Sequence, residues 1–201
     1  MNSFKKAFKH LEKDEVMKFL IKNFGDKIDI TDRYHHNYAR AISDLIIEQQ
    51  ISFKVAKIIK KKFKILIKNL TDSQIINLKN SKIKSLGLSG RKVDYIKNVY
   101  IFFKEHKINF ETLQDDEIIE ILCKIKGVGT WTAEMFLIFI LFRKNIFSEK
   151  DIALINSIKI NYRIMNLDSQ KLNELIRSWE PYNTTASLLL WKSIEEKIFY
   201  K

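Results

Sequence analysis

With 201 residues, 46% of them apolar, and 36 Lys and Arg against 24 Asp and Glu, the chain carries a formal charge of +12. It is long enough for one domain of ordinary size or two small lobes. Five Gly and one Pro exclude a collagen-like, disordered or linker-rich chain. The longest apolar run, Met135 to Phe142, is eight residues, where a bilayer span needs roughly 18 to 20. No apolar segment follows the lysines of Met1-Asn-Ser-Phe-Lys-Lys-Ala, so no secretory signal is expected. The expected location is intracellular, cytoplasmic and nucleoid-associated if the source is prokaryotic. A single cysteine, Cys123, forbids an internal disulfide and any Cys-only zinc or iron-sulfur site. His10, His35, His36 and His106 have no metal-ligand spacing and read as solvated surface residues.

Apolar residues recur at three- and four-residue spacing almost throughout, which predicts an all-α chain of about eleven helices. In chain order these fall at 4–11, 14–24, 34–49, 52–68, 72–79, 91–106, 115–124, 130–142, 152–160, 168–179 and 183–198. Ser52 can cap the fourth, and Thr71 with Gln74 makes a capping box for the fifth. The fourth interleaves Lys54, Lys57, Lys60, Lys61, Lys62, Lys64 and Lys68 with Val55, Ile58, Ile59, Phe63, Ile65, Leu66 and Ile67, so it is amphipathic. Its lysine face is either a solvated one or one that meets nucleic acid. A positive chain favours polyanions, because each phosphate contact releases counterions. Yet 30 of the 36 basic residues are Lys, a bias that an AT-rich genome alone would also produce. Four of the five glycines mark two loops that each lead into a helix, Leu86-Gly-Leu-Ser-Gly-Arg-Lys92 and Ile125-Lys-Gly-Val-Gly-Thr-Trp-Thr-Ala-Glu134. In the second, Gly127 and Gly129 permit a tight hairpin, and the helix after it directs N–H groups and its positive dipole end outward. Cys123, before that loop, is expected to pack inside its helix, without thiol chemistry. Pro181 falls where a helix restarts, and no linker or repeat is visible, so any lobes pack directly together.

The segment Leu122-Cys-Lys-Ile-Lys-Gly-Val-Gly-Thr-Trp-Thr-Ala-Glu-Met135 resembles the helix-hairpin-helix of the HhH-GPD superfamily of DNA base-excision glycosylases, in its 3-methyladenine DNA glycosylase II branch. Three further segments match in order: Ile46-Ile-Glu-Gln-Gln-Ile-Ser52, Phe147-Ser-Glu-Lys-Asp151 and Trp179-Glu-Pro-Tyr-Asn-Thr-Thr-Ala-Ser-Leu-Leu-Leu-Trp191. Asp151 lies 20 residues after Trp131, where that superfamily keeps its catalytic aspartate. The similarity runs from about residue 40 to 195, and residues 1–30 carry no placed motif. It implies two helical lobes with the cleft between them: residues 42–149 as the hairpin lobe, and 1–41 plus 150–201 as the second, in one compact unit. Asp151 would sit where the chain crosses the cleft.

Carried over by resemblance, Asp151 is the catalytic carboxylate. Gly127, Gly129 and Thr132 hold a phosphate of the damaged strand, and Trp131 and Trp191 line the base pocket, shaped by Met135 and Tyr182. Gln50 is the wedge that fills the gap left by the flipped base. Main-chain carbonyls of Cys123, Ile125 and Val128 hold a monovalent cation, Na or K, with no other cofactor required. Arg91 and Lys92 are candidate DNA-backbone contacts. Each role has a plainer counterpart: Asp151 as the N-cap of the helix from Ile152, Gln50 as a surface amide, the tryptophans, Met135 and Tyr182 as core, and Arg91 and Lys92 as a basic helix start. Trp179 reads as core. Trp131 stands where bifunctional glycosylase-lyases carry a lysine, and with no amine there a Schiff base cannot form, which implies a monofunctional enzyme. The single cysteine excludes the four-cysteine cluster of endonuclease III-like relatives. Asn183 stands where an arginine is common. The expected partner is double-stranded DNA with a damaged base, bound by a monomer with no membrane association. The alternatives are a non-catalytic helix-hairpin-helix DNA-binding module, or a glycosylase for oxidised or mismatched bases.

Overall fold

The computed structural model describes residues 4–201, and these form twelve α-helices and one short 3-10 turn with no strand among the described residues. The all-α expectation therefore holds. Contacts divide the chain into two units. Unit 1 opens with α1 (Lys5–Leu11) and α2 (Glu15–Phe24). Unit 2 holds α3 (Tyr38–Glu48), α4 (Phe53–Leu66), α5 (Asp72–Ile76), α6 (Asn80–Lys84), α7 (Gly90–Glu105), α8 (Asp115–Cys123) and α9 (Thr130–Phe139). The chain then returns to unit 1 as α10 (Ile152–Asn161), α11 (Ser169–Trp179) and α12 (Asn183–Glu196). The divisions fall after Asp32 and after Leu141, ahead of the expected 42 and 149. No helix among the described residues is long and apolar enough to cross a membrane.

In unit 2, α3 is the central helix, packed on α4, α7 and α9. Its Ile42, Leu45, Ile46 and Ile47 are all buried, removing apolar area worth about 1.5–3 kcal/mol per fully buried side chain. Tyr38 meets Phe110 and Phe136 edge-on, with ring centroids 5.2 and 5.5 Å apart. In unit 1, α12 packs against α2 and α10, and Met17, Leu20, Phe24, Leu154, Ile158, Trp179 and Leu189 share one core. A polar network runs through that core. The Asn161 amide donates to the Ser157 carbonyl at 2.9 Å and to Ser193 Oγ at 3.1 Å, and its oxygen accepts from the Tyr200 N–H at 2.9 Å. Such a network is tolerated because its members are matched.

The caps that the sequence suggested are present. Ser52 Oγ accepts from the Val55 N–H, and Thr71 and Gln74 form the reciprocal box. Three expectations are corrected. The helix expected at 72–79 stops at Ile76 as α5, with the Leu78 carbonyl beyond it taken by the Lys97 ammonium at 2.6 Å, and a further short helix, α6, follows where none was expected. The helix expected from 34 starts at Tyr38, because Asn37 caps it by accepting the Arg40 N–H at 2.9 Å. Cys123 is exposed. In α8 the buried residues are Ile118 and Leu122, one turn apart, and the next position is rotated about 100° away from that face.

Candidate active site

In unit 2, α8 and α9 enclose a turn that the Val128 N–H closes by donating to the Ile125 carbonyl at 2.9 Å. Gly127 has φ +106°, the region that favours glycine, and a Cβ there would lie 2.1 Å from Tyr95 Cγ. Gly129 differs in both respects. Its backbone is extended, at φ −107° and ψ 179°, and a Cβ would meet nothing within 4 Å. Gly129 is the N-cap of α9 and supplies no side-chain cap, so the first N–H groups of that helix have neither an intrahelical acceptor nor a capping oxygen from it. With the positive end of the helix dipole, this turn is built to receive an anion by main chain alone.

A residue that sequence reasoning missed holds this turn in place. The Gln49 amide, at the C-terminus of α3, donates to the Gly127 carbonyl at 3.2 Å and to Thr132 Oγ1 at 2.9 Å. Lys92 Nζ, from the first turn of α7, donates in turn to the carbonyls of Ile47 at 2.9 Å and Gln49 at 2.5 Å. The Lys92 charge is thus used at the negative end of α3, and desolvation lowers its pKa. Arg91 beside it is exposed. The Thr132 hydroxyl belongs to the Gln49 contact and the residue is only 1% exposed, which leaves its main-chain N–H for the expected phosphate role. Replacing Gln49 with Ala leaves a carbonyl and a buried hydroxyl without their donor. Urea unfolding of that variant is expected to show a loss of about 1–3 kcal/mol. No local signal marks Gln49, whose partners lie 78 and 83 residues away in sequence.

Gln50 is the outward one. It is exposed and adopts φ +56°, a left-handed conformation uncommon outside Gly, Asn and Asp. Trp131, second residue of α9, is half-buried, and Met135, one turn on, is 1% exposed in the core of the unit. Among the described residues no backbone N–H donates to the carbonyls of Cys123 or Val128, while that of Ile125 accepts Val128. Hard, uncharged oxygens at the negative end of α8 are a donor set that suits a monovalent cation.

Unit 1 holds the carboxylate. Asp151 caps α10, and its Oδ1 accepts the Leu154 N–H at 3.0 Å. The same oxygen accepts Trp191 Nε1–H, from α12, at 3.2 Å. The cap reading and the site reading of Asp151 are therefore compatible, and the two unit 1 residues singled out for chemistry lie in contact. Tyr182 is half-buried at the start of α12, its ring 5.4 Å from that of His10. Trp179 is core, as expected, and Asn183 is 2% exposed and donates to Asn145 Oδ1 at 2.7 Å. Asn183 therefore fixes the segment before α10 and presents no cation.

The chain belongs to the HhH-GPD superfamily of base excision DNA repair proteins, whose family description matches residues 44–181. DNA-3-methyladenine glycosylase 1 of Schizosaccharomyces pombe is 29% identical over 208 residues, covering 96% of this chain and 89% of that relative. A solved structure of the 3-methyladenine DNA glycosylase Mag1 of that organism, in complex with abasic DNA, matches with a TM-score of 0.87 at 28% identity, over 95% of this chain and 97% of that one. YfjP of Bacillus subtilis is 34% identical over 128 residues, 60% of this chain, and the match spans 44% of that relative's length.

Proposed function

We propose that this protein is a monofunctional DNA glycosylase that flips alkylated purines of the 3-methyladenine type out of duplex DNA and hydrolyses their N-glycosidic bond. The observation that carries the reading is Asp151, held by the Leu154 N–H and the Trp191 indole N–H, in a chain of this repair family. A buried base is out of reach, so the enzyme extrudes it at a cost of roughly a few kcal/mol, less for a damaged base. Gln50, pushed outward by its backbone, fills the gap. An N3- or N7-alkylated purine is cationic and leaves readily as a neutral base, so little acid catalysis is needed. What remains is to stabilise a positively charged sugar and direct water onto it, which an ionised carboxylate can do without a metal. The electron-rich faces of Trp131 and Trp191 favour the electron-poor alkylated base.

The main-chain N–H groups of Gly127, Gly129 and Thr132 receive a phosphate of the damaged strand, with exposed Arg91 as a further backbone contact. A sodium or potassium ion held by the carbonyls of Cys123, Ile125 and Val128 would add positive charge beside that phosphate. The enzyme works as a monomer inside the cell, on the nucleoid if its source is prokaryotic. Gly129→Ala tests the phosphate role. A Cβ there meets no protein atom, so stability is expected to change by less than about 1 kcal/mol. Duplex affinity, read by fluorescence anisotropy, is expected to fall by about tenfold as the methyl group pushes the phosphate off the turn.

Strand integrity tests the reaction class. End-labelled methylated duplex incubated with the protein is expected to run intact on a denaturing gel and to break only after alkali, because base loss without lyase chemistry leaves an unbroken abasic strand. Breakage without alkali would reveal a lyase despite Trp131. No breakage under either treatment, with salt-sensitive binding retained, would favour the non-catalytic binding module.

A further inference from the structure

Away from the hairpin turn, unit 2 has an open cavity of about 340 Å³. Its lining brings His35, His36, Arg40, Lys64 and Lys68 together with a single acid, Asp72. The lysine helix α4 thus has one of its charges, Lys64, beside the cavity and Lys68 follows in the turn after it, whereas Lys54, Lys57, Lys61 and Lys62 are exposed without lining it.

Arg40 is the informative residue. It is only 7% exposed, and its guanidinium lies over the Phe63 ring at 4.9 Å. Its side chain makes one hydrogen bond to protein, from Nε to Asp44 Oδ2 at 3.4 Å. The side chain also lines the cavity, with its Nε ion-paired to Asp44. A planar guanidinium fork is suited to phosphate. His35 is half-buried rather than solvated. Its Nδ1 accepts the Asn37 N–H at 3.0 Å, which places its ring proton on Nε2 as a donor. Burial first, then the positive charges of His36, Arg40 and Lys64, hold His35 below its ordinary pKa. The His35 and His36 rings stack with centroids 4.6 Å apart, and Ile67, Leu70 and Ile75 supply an apolar wall. The cavity is too large for a lone phosphate, and it combines cations with flat and apolar surfaces.

We infer that this cavity binds a nucleoside phosphate, with the phosphate between Arg40, Lys64 and Lys68 and the base against the histidine pair and the apolar wall. The nucleotide is either free or part of a DNA strand, and the inference stands independently of the reaction assigned to Asp151. The histidine ring signals in proton NMR of the full chain provide the test, since His35 and His36 line the cavity while His10 and His106 do not. The probes are deoxyadenosine 5′-monophosphate, deoxyadenosine and a short undamaged duplex. The monophosphate is expected to shift the His35 and His36 signals saturably, with deoxyadenosine doing nothing. The double variant Lys64→Gln/Lys68→Gln, changed at two exposed positions, is expected to weaken binding about tenfold or more. Shifts caused by the duplex and not by the monophosphate, and weakened in the double variant, would support the site and identify the nucleotide as part of a strand. Shifts by neither probe, equal shifts by deoxyadenosine, or shifts untouched by the double variant would overturn it.

Discussion

Asp151→Asn is expected to slow release of 3-methyladenine from methylated duplex DNA by at least about 100-fold, within the range that a positioned acid, base or electrostatic group supplies. The substitution is informative because it separates two roles of one side chain. Asp151 Oδ1 accepts the Leu154 N–H, which caps α10, and the Trp191 Nε1–H. An asparagine carbonyl oxygen can accept both, and Asn and Asp are close to equivalent as N-caps. Thermal unfolding should therefore shift little, and duplex affinity should persist, because the main-chain N–H groups proposed to meet the phosphate belong to the other unit. Only the negative charge is lost. If the variant kept full activity, Asp151 would be a cap and nothing more. If it unfolded, the negative charge itself would be what holds the start of α10 in place.

The largest expected effect on stability is at Gly127. Gly127→Ala places a Cβ 2.1 Å from Tyr95 Cγ and 2.4 Å from Tyr95 Cβ, and does so at φ +106°. The backbone strain and the steric overlap together are expected to cost about 3–5 kcal/mol in urea unfolding. Tyr95 cannot escape by a rotamer change alone, since its own Cβ is part of the overlap. The two glycines of one Gly-Val-Gly turn thus predict opposite phenotypes: Gly127→Ala a folding defect, Gly129→Ala a binding defect in a stable protein. Equal stability of the two variants would mean that the turn is not as closely packed on α7 as the Tyr95 contact requires.

Much of this was legible in the residues because local chemistry decides it. Ser52, Thr71 and Asp151 are side chains whose capping role depends on the few residues that follow, so spacing alone located three helix starts. The hairpin was legible because Gly127 and Gly129 stand between two apolar-periodic runs. What escaped depends on tertiary partners. The break between α5 and α6 has no glycine or proline to announce it, and is satisfied by Lys97 from α7. Gln49 and Lys92 acquire their roles only when α3, α7 and the hairpin meet. Lys92 looked like a phosphate contact because a lysine at a helix start usually is solvated, whereas here two carbonyls of the α3 terminus hold it. Cys123 was misread because a lone cysteine is commonly buried, while the Ile118 and Leu122 pair had already fixed the inward face of α8. Thr132 and Met135 show the same limit: sequence can place a residue near a site but not say which way its side chain is turned.

Removal of alkylated purines by this chain is read by mass spectrometry of the bases set free from methylated duplex DNA. N3-methylated purine is expected among the products with the native protein, and a level no higher than spontaneous loss with Asp151→Asn. Background release by both proteins, although both bind the duplex, would contradict the claim and leave a DNA-binding member of the repair family without this excision activity.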